Sequence, residues 1–104
     1  MLLKLDTGAK SVELQKPDDC GDFKVKVLGS MDPADIDETI ASAGAGRLVG
    51  PHAWIAISSI RQWAEGNTTD GWDERFQRLL DEAGRAGRLN DDRSYLYADY
   101  SEAT

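Results

Sequence analysis

A chain of 104 residues with 40% hydrophobic content can bury roughly two thirds of its unfolded surface, so one self-folding domain is expected. Its single cysteine, Cys20, excludes an intrachain disulfide, and no apolar run approaches the roughly 20 residues that cross a bilayer. The net charge of -7 opposes the phosphate contacts that supply most nucleic-acid affinity, which argues against nucleic acid as a partner.

Taken in chain order, Leu2 to Leu5 reads as a short strand ended by the turn residues Asp6, Thr7 and Gly8. Lys4 and Asp6 also interrupt the apolar opening run, so no signal-peptide pattern forms and a cytoplasmic location is expected. From Lys10 to Lys16, Val12 and Leu14 alternate with polar residues, and Phe23 to Leu28 repeats this through Phe23, Val25 and Val27. Pro17 to Asp22 supplies a turn-rich connection, and an antiparallel meander over residues 1 to 30 is the economical assembly.

A helix is predicted from Asp32, with that residue as N-cap, Pro33 at N1 and Asp35 in the first turn. Met31 is placed to staple onto Ile36, while Ile36, Ile40 and Ala43 form the apolar stripe and Gly44 ends it. A linker over Gly44, Ala45 and Gly46 leads into Arg47, Leu48, Val49 and Gly50.

Residues 51 to 66 admit two readings. As one helix, Pro51 opens it and Ala53, Ile57, Ile60 and Ala64 form a stripe; as strand then helix, His52 to Ile57 extends and Ser59 with Gln62 makes a capping box. The second is favoured, because Trp54, Ile55 and Ile57 are strong strand formers and a cap signal follows at once. Asp70 to Leu89 then reads as an amphipathic helix, with Trp72, Phe76, Leu79, Leu80 and Ala83 at helical spacing. Acids crowd its first turn and arginines its last, and Glu74 to Arg78 and Asp81 to Arg85 are i,i+4 pairs. Ser94 to Tyr100 alternates loosely and reads as an edge strand or a tail. Trp54, Trp63 and Trp72 stand nine residues apart, but their neighbours do not repeat, so no repeat array is implied.

No catalytic constellation is apparent. His52 is the only histidine, and a lone imidazole beside Trp54 is more often structural than catalytic or metal-binding. Cys20 sits among Asp18, Asp19 and Asp22, whose charges disfavour a thiolate, and that turn lacks calcium-loop spacing, so a solvated turn is expected. Gly44, Gly46 and Gly50 follow a helix and miss dinucleotide-loop spacing. No metal and no cofactor is therefore expected. A helix-turn-helix near Ser59 and Asp70 would present an acidic helix to phosphates.

The run Gly46-Arg47-Leu48-Val49-Gly50-Pro51-His52-Ala53-Trp54-Ile55, followed by Trp72 and Phe76, resembles small actinobacterial proteins of unassigned function over about residues 31 to 90. The resemblance implies no activity, cofactor or site residues.

The expected fold is thus a single α+β domain, an antiparallel sheet of three to five strands packed with two or three helices. Residues 1 to 30 hold five lysines against five acids and the rest seven arginines against fourteen, so the acidic excess lies beyond residue 30. That placement suggests a non-enzymatic interaction or accessory module, such as an immunity or antitoxin-like protein facing a basic partner. Tyr95, Tyr97 and Tyr100 are the candidate contacts, able to add to a partner's sheet, with the equal alternative that Tyr95 and Tyr97 complete the protein's own sheet. The competing expectation is a small-ligand binder or enzyme sited at His52, Trp54 and Trp63.

Overall fold

The leading strands form as their alternation requires. In the computed structural model, which describes residues 1–103, β1 (Leu2–Asp6), β2 (Ser11–Gln15) and β3 (Lys24–Leu28) each turn alternate side chains inward. α1 (Pro33–Ser42) starts where its signals stand: the Asp32 carboxylate accepts the Ala34 amide at 3.0 Å, with Pro33 in the first turn. Gly44, at φ 65°, ends it.

The segment read as a linker instead yields β4 (Gly46–Val49), which pairs antiparallel with β5 (His52–Ala56) through the turn at Gly50. Glycine is required at the start of β4. A Cβ at Gly46, whose φ is 141°, would stand 1.8 Å from the Trp54 carbonyl oxygen. The chain then passes directly into α2 (Ile57–Ala64), confirming strand then helix over this stretch. The capping box does not form, however, because the helix opens at Ile57 before Ser59 can cap it; the Ser59 hydroxyl donates to the Gly44 carbonyl at 3.4 Å instead.

α3 (Trp72–Arg85) is shorter than its periodicity predicted. Gly71 at its start and Gly87 beyond its end both adopt positive φ, and Leu89 leaves the helix to bridge Leu96 in the sheet. The expected pairs along it give way to longer reach: Asp81 meets Arg93 at 3.1 Å, and Arg75 meets Asp18 at 3.1 Å.

One six-stranded mixed sheet results, in the order β2-β1-β3-β6-β5-β4, where β6 is Tyr95–Glu102. Two expectations are corrected here. Residues 1 to 30 do not make an antiparallel meander, because β3 crosses to the far side of β1 and pairs with it in parallel. Burial explains the choice: Leu3 and Leu5 are fully buried, so β1 belongs inside, whereas the polar residues of β2 suit an edge. The sheet also has six strands, beyond the expected three to five.

The carboxyl-terminal segment is neither edge strand nor tail. β6 lies inside the sheet, paired antiparallel with β5 from Tyr95 to Asp99 and parallel with β3 from Tyr100 to Glu102. The free side of its first half is closed by the chain leaving α3, since the Tyr97 amide donates to the Arg88 carbonyl at 2.8 Å. Its first half is thus paired along both sides up to the Tyr97 amide, and Tyr100 to Glu102 pair with β3.

All three helices cover the same face. Leu3, Leu5, Val25, Val27, Ala53, Ile55, Leu96 and Ala98 from the strands meet Ile36, Ile40, Ile57, Ile60, Phe76 and Leu80 from the helices in one core. The side chains alternating with that strand set point away from every helix, and none of them is buried.

Candidate functional site

That uncovered face gathers the unusual chemistry of the chain. The register sets Arg47 of β4, Trp54 of β5 and Tyr97 of β6 side by side across three strands. Trp54 and Tyr97 stack with ring centroids 4.3 Å apart and planes 19° from parallel, while the Arg47 guanidinium carbon lies 5.3 Å from the Trp54 ring centre. Arg47 and Tyr97 thus flank Trp54 from opposite neighbouring strands. Tyr95 adds a third ring, 6.3 Å from Trp54 and tilted by 45°.

Beside this column, His52 pairs across the strands with Asp99, Nδ1 to Oδ1 at 3.0 Å, and both side chains are exposed. On the other half of the face, Lys24 and Lys26 of β3 neighbour Leu2 and Lys4 of β1. Lys26 donates to the Ser101 hydroxyl at 2.7 Å, and Lys4 lies between Glu13 and Lys26 in register.

The structure brings His52, Trp54, Tyr95 and Tyr97 onto this surface. It separates them from the other candidates. Trp63 stands on α2, where it packs against the core on the opposite side of the sheet, so it does not form a wall with His52 and Trp54. Tyr100 sits opposite Val25 on the inner face and packs against the core. Arg47, Lys4 and Lys26 were not singled out in the sequence. Strand alternation could have placed each lysine on an outer face, but only the order of the strands makes Lys4 and Lys26 neighbours.

Charge is segregated accordingly. The open face carries Lys4, Lys24, Lys26 and Arg47 against Asp6, Glu13 and Asp99, and Asp22 pairs with Lys24 at 3.6 Å, so its charges balance and eight cations stand against fifteen carboxylates elsewhere in the chain. The acidic excess therefore lies outside the open face, chiefly on the helices and loops.

The Asp-rich turn serves the fold. Asp18 accepts the Thr69 amide at 2.8 Å, the Thr69 hydroxyl at 3.0 Å and the Arg75 guanidinium at 3.1 Å, which ties the β2–β3 connection to the start of α3. The Trp72 indole N–H donates to the Pro17 carbonyl at 2.6 Å in the same region. The acids of the turn stay exposed to solvent as expected, but Asp18 also ties it to α3, and a contact spanning more than fifty residues leaves no local signal. Cys20 half-buries here beside Arg75, far from His52, and burial pushes its thiol pKa up while the guanidinium opposes. The Asp18 charge, expected with Asp19 and Asp22 to disfavour the thiolate, adds less to that rise than burial does.

The Thr69 amide, chief among its partners, holds the Asp18 carboxyl below the ordinary carboxylate range. Because folding depresses this pKa, the clamp adds stability above the unfolded carboxylate value of about 3.9 and loses it as pH falls through the lower folded value. Asp18→Asn is expected to make the acid limb of a stability-against-pH curve shallower below about pH 5. The limb should persist in part, since hydrogen bonds from Gln77 to Asp81 and from Ser94 to Asp92 lower those carboxyls too. A limb as steep as that of the unmodified protein would rule the clamp out.

Comparison with known proteins adds no relative: no family model, no curated protein and no solved structure matches this chain.

Proposed function

We propose that the protein is a non-catalytic interaction module whose working surface is the open face of its sheet. The observation that carries this reading is the Arg47–Trp54–Tyr97 column, which concentrates on one uncovered surface the three residue types that dominate protein-interface hot spots. A rigid sheet presents them at little entropic cost, because the stacked rings and the guanidinium already hold one another in place.

The immunity or antitoxin-like role toward a basic partner draws less support from this surface. The acidic excess lies outside the open face, on which the four cations are balanced by Asp6, Glu13, Asp99 and the Asp22 that pairs with Lys24. A ligand pocket or catalytic centre at His52 draws less support still, with Trp63 beyond the sheet and His52 facing an exposed carboxylate.

Affinity capture from native lysate with three forms of the protein tests the proposal. The unmodified chain and a helix-face variant, Glu74→Lys, are expected to retain the same stoichiometric protein, while Trp54→Ala combined with Tyr97→Ala loses it and remains folded. Retention by the open-face variant, or a small molecule in place of a protein, overturns the reading.

A further inference from the structure

We infer that a cleft at a fork in the sheet binds a free α-amino acid with an apolar side chain. The side of β6 that faces β3 changes partner midway, since the Tyr97 amide donates to the Arg88 carbonyl at 2.8 Å whereas the ladder with β3 begins only at Val25 opposite Tyr100. A break opens between the two. In a strand the N–H and C=O of one residue leave on the same side, so the Tyr97 carbonyl and, two residues on, the Asp99 amide point into that break. Neither has a hydrogen-bond partner among the described residues.

The groups that would complete the ladder are committed elsewhere. The Phe23 amide, which a continued parallel register would aim at the Tyr97 carbonyl, donates instead to the Asp22 carboxylate at 2.8 Å, and the Arg88 amide donates to the Ala83 carbonyl at 2.7 Å. An acceptor and a donor two residues apart on one strand edge match a single residue-sized partner that carries both a donor and an acceptor.

Beside the break lies a cleft of about 170 Å³. Its apolar wall is Phe23, Leu79, Ala83 and Leu96, all buried, and an apolar cavity of about 150 Å³ takes a benzene-sized body. Its charged lining is Asp22, Glu82 and Arg88. Asp22 is answered by Lys24 at 3.6 Å and by the Phe23 amide, whereas neither Glu82 nor Arg88 makes an ion pair among the described residues. The cleft therefore offers a free cation with a backbone donor and a free anion with a backbone acceptor around an apolar space. A zwitterionic amino acid answers all of them: its carboxylate takes Arg88 and the Asp99 amide, its ammonium takes Glu82 and the Tyr97 carbonyl, and its side chain takes the apolar wall. A ligand of single charge leaves one of the two charged side chains unanswered.

Amide-resolved NMR titration of the full chain to about 10 mM ligand tests this with L-phenylalanine, N-acetyl-L-phenylalanine, L-phenylalanine amide and L-lysine. L-phenylalanine is expected to give saturable shifts at Ala83, Arg88 and Asp99. The acetyl and amide forms, each lacking one charged end, should bind at least about tenfold more weakly, and L-lysine, with its charged side chain, should leave these amides in place. Arg88→Gln, at an exposed position, should keep the spectrum of the folded protein and lower the affinity for L-phenylalanine about tenfold. No saturable shift with L-phenylalanine, equal binding of either blocked form or of L-lysine, or an unchanged affinity in Arg88→Gln each overturns the amino-acid site. None of these outcomes touches the capture result with the Trp54 and Tyr97 variant, which judges the open face.

Discussion

A chain ending at Asn90 is expected to lose cooperative unfolding altogether. β6 is the strand that joins the two halves of the sheet, pairing with β3 on one side and β5 on the other. Its removal separates β2-β1-β3 from β5-β4, and it takes Leu96 and Ala98, both nearly fully buried, out of the core. The halves that remain, of three and two strands, would each expose a new edge and an apolar face to water. Circular dichroism during a urea titration should show a gradual slope in place of a sigmoidal transition. A sharp transition close to that of the intact protein would show that the segment is dispensable and return it to the role of a docking tail. Hydrogen exchange offers an independent reading on the intact chain, in which the Tyr97 amide, bonded to the Arg88 carbonyl at 2.8 Å, should be as protected as the amides of α3.

Phe76→Ala should cost about 3 to 5 kcal/mol, a large share of the about 5 to 15 kcal/mol that holds a domain folded. Phe76 is fully buried, stacks on Trp72 with centroids 4.8 Å apart, and lies 4.9 Å from the Arg61 guanidinium carbon on α2. Truncation removes all three at once: apolar transfer, the ring pair and the cation contact that links α2 to α3. Phe76→Leu keeps most of the volume and should cost far less. The midpoint of denaturant unfolding, read with an unchanged slope, gives both values. A loss below about 1.5 kcal/mol for the alanine variant would mean that the site collapses around the gap and that α3 does not depend on this ring.

The two predictions concern opposite kinds of information. α3 was legible because an amphipathic helix declares itself over consecutive residues: Trp72, Phe76, Leu79, Leu80 and Ala83 were expected to be buried and are. The α1 cap was legible for the same reason, since Asp32, Pro33 and the amides they serve are adjacent in the chain. β4 was not, because four residues beginning at a glycine carry too little periodicity; it becomes a strand only when the missing Cβ lets it close on the Trp54 carbonyl. The Ser59 capping box failed for the converse reason. Its pattern was local, but Ile57 is drawn into the core, and its amide donates to the Ser94 carbonyl at 2.9 Å, which starts the helix two residues earlier.

For the candidate surface, the sequence by itself determined which strand residues alternate together, so that His52 with Trp54, Tyr95 with Tyr97, and Lys24 with Lys26 each share a side. Tertiary structure alone decided which strands are neighbours, and therefore that Arg47, Trp54 and Tyr97 form one column and that Lys4 meets Lys26. It also decided that Tyr100 and Trp63 pack against the core. The physical reason is that alternation is set by backbone geometry within a strand, whereas strand order follows from burial competing across the whole chain. That competition placed the apolar β1 and β6 inside the sheet and left the polar β2 and the short β4 at its edges.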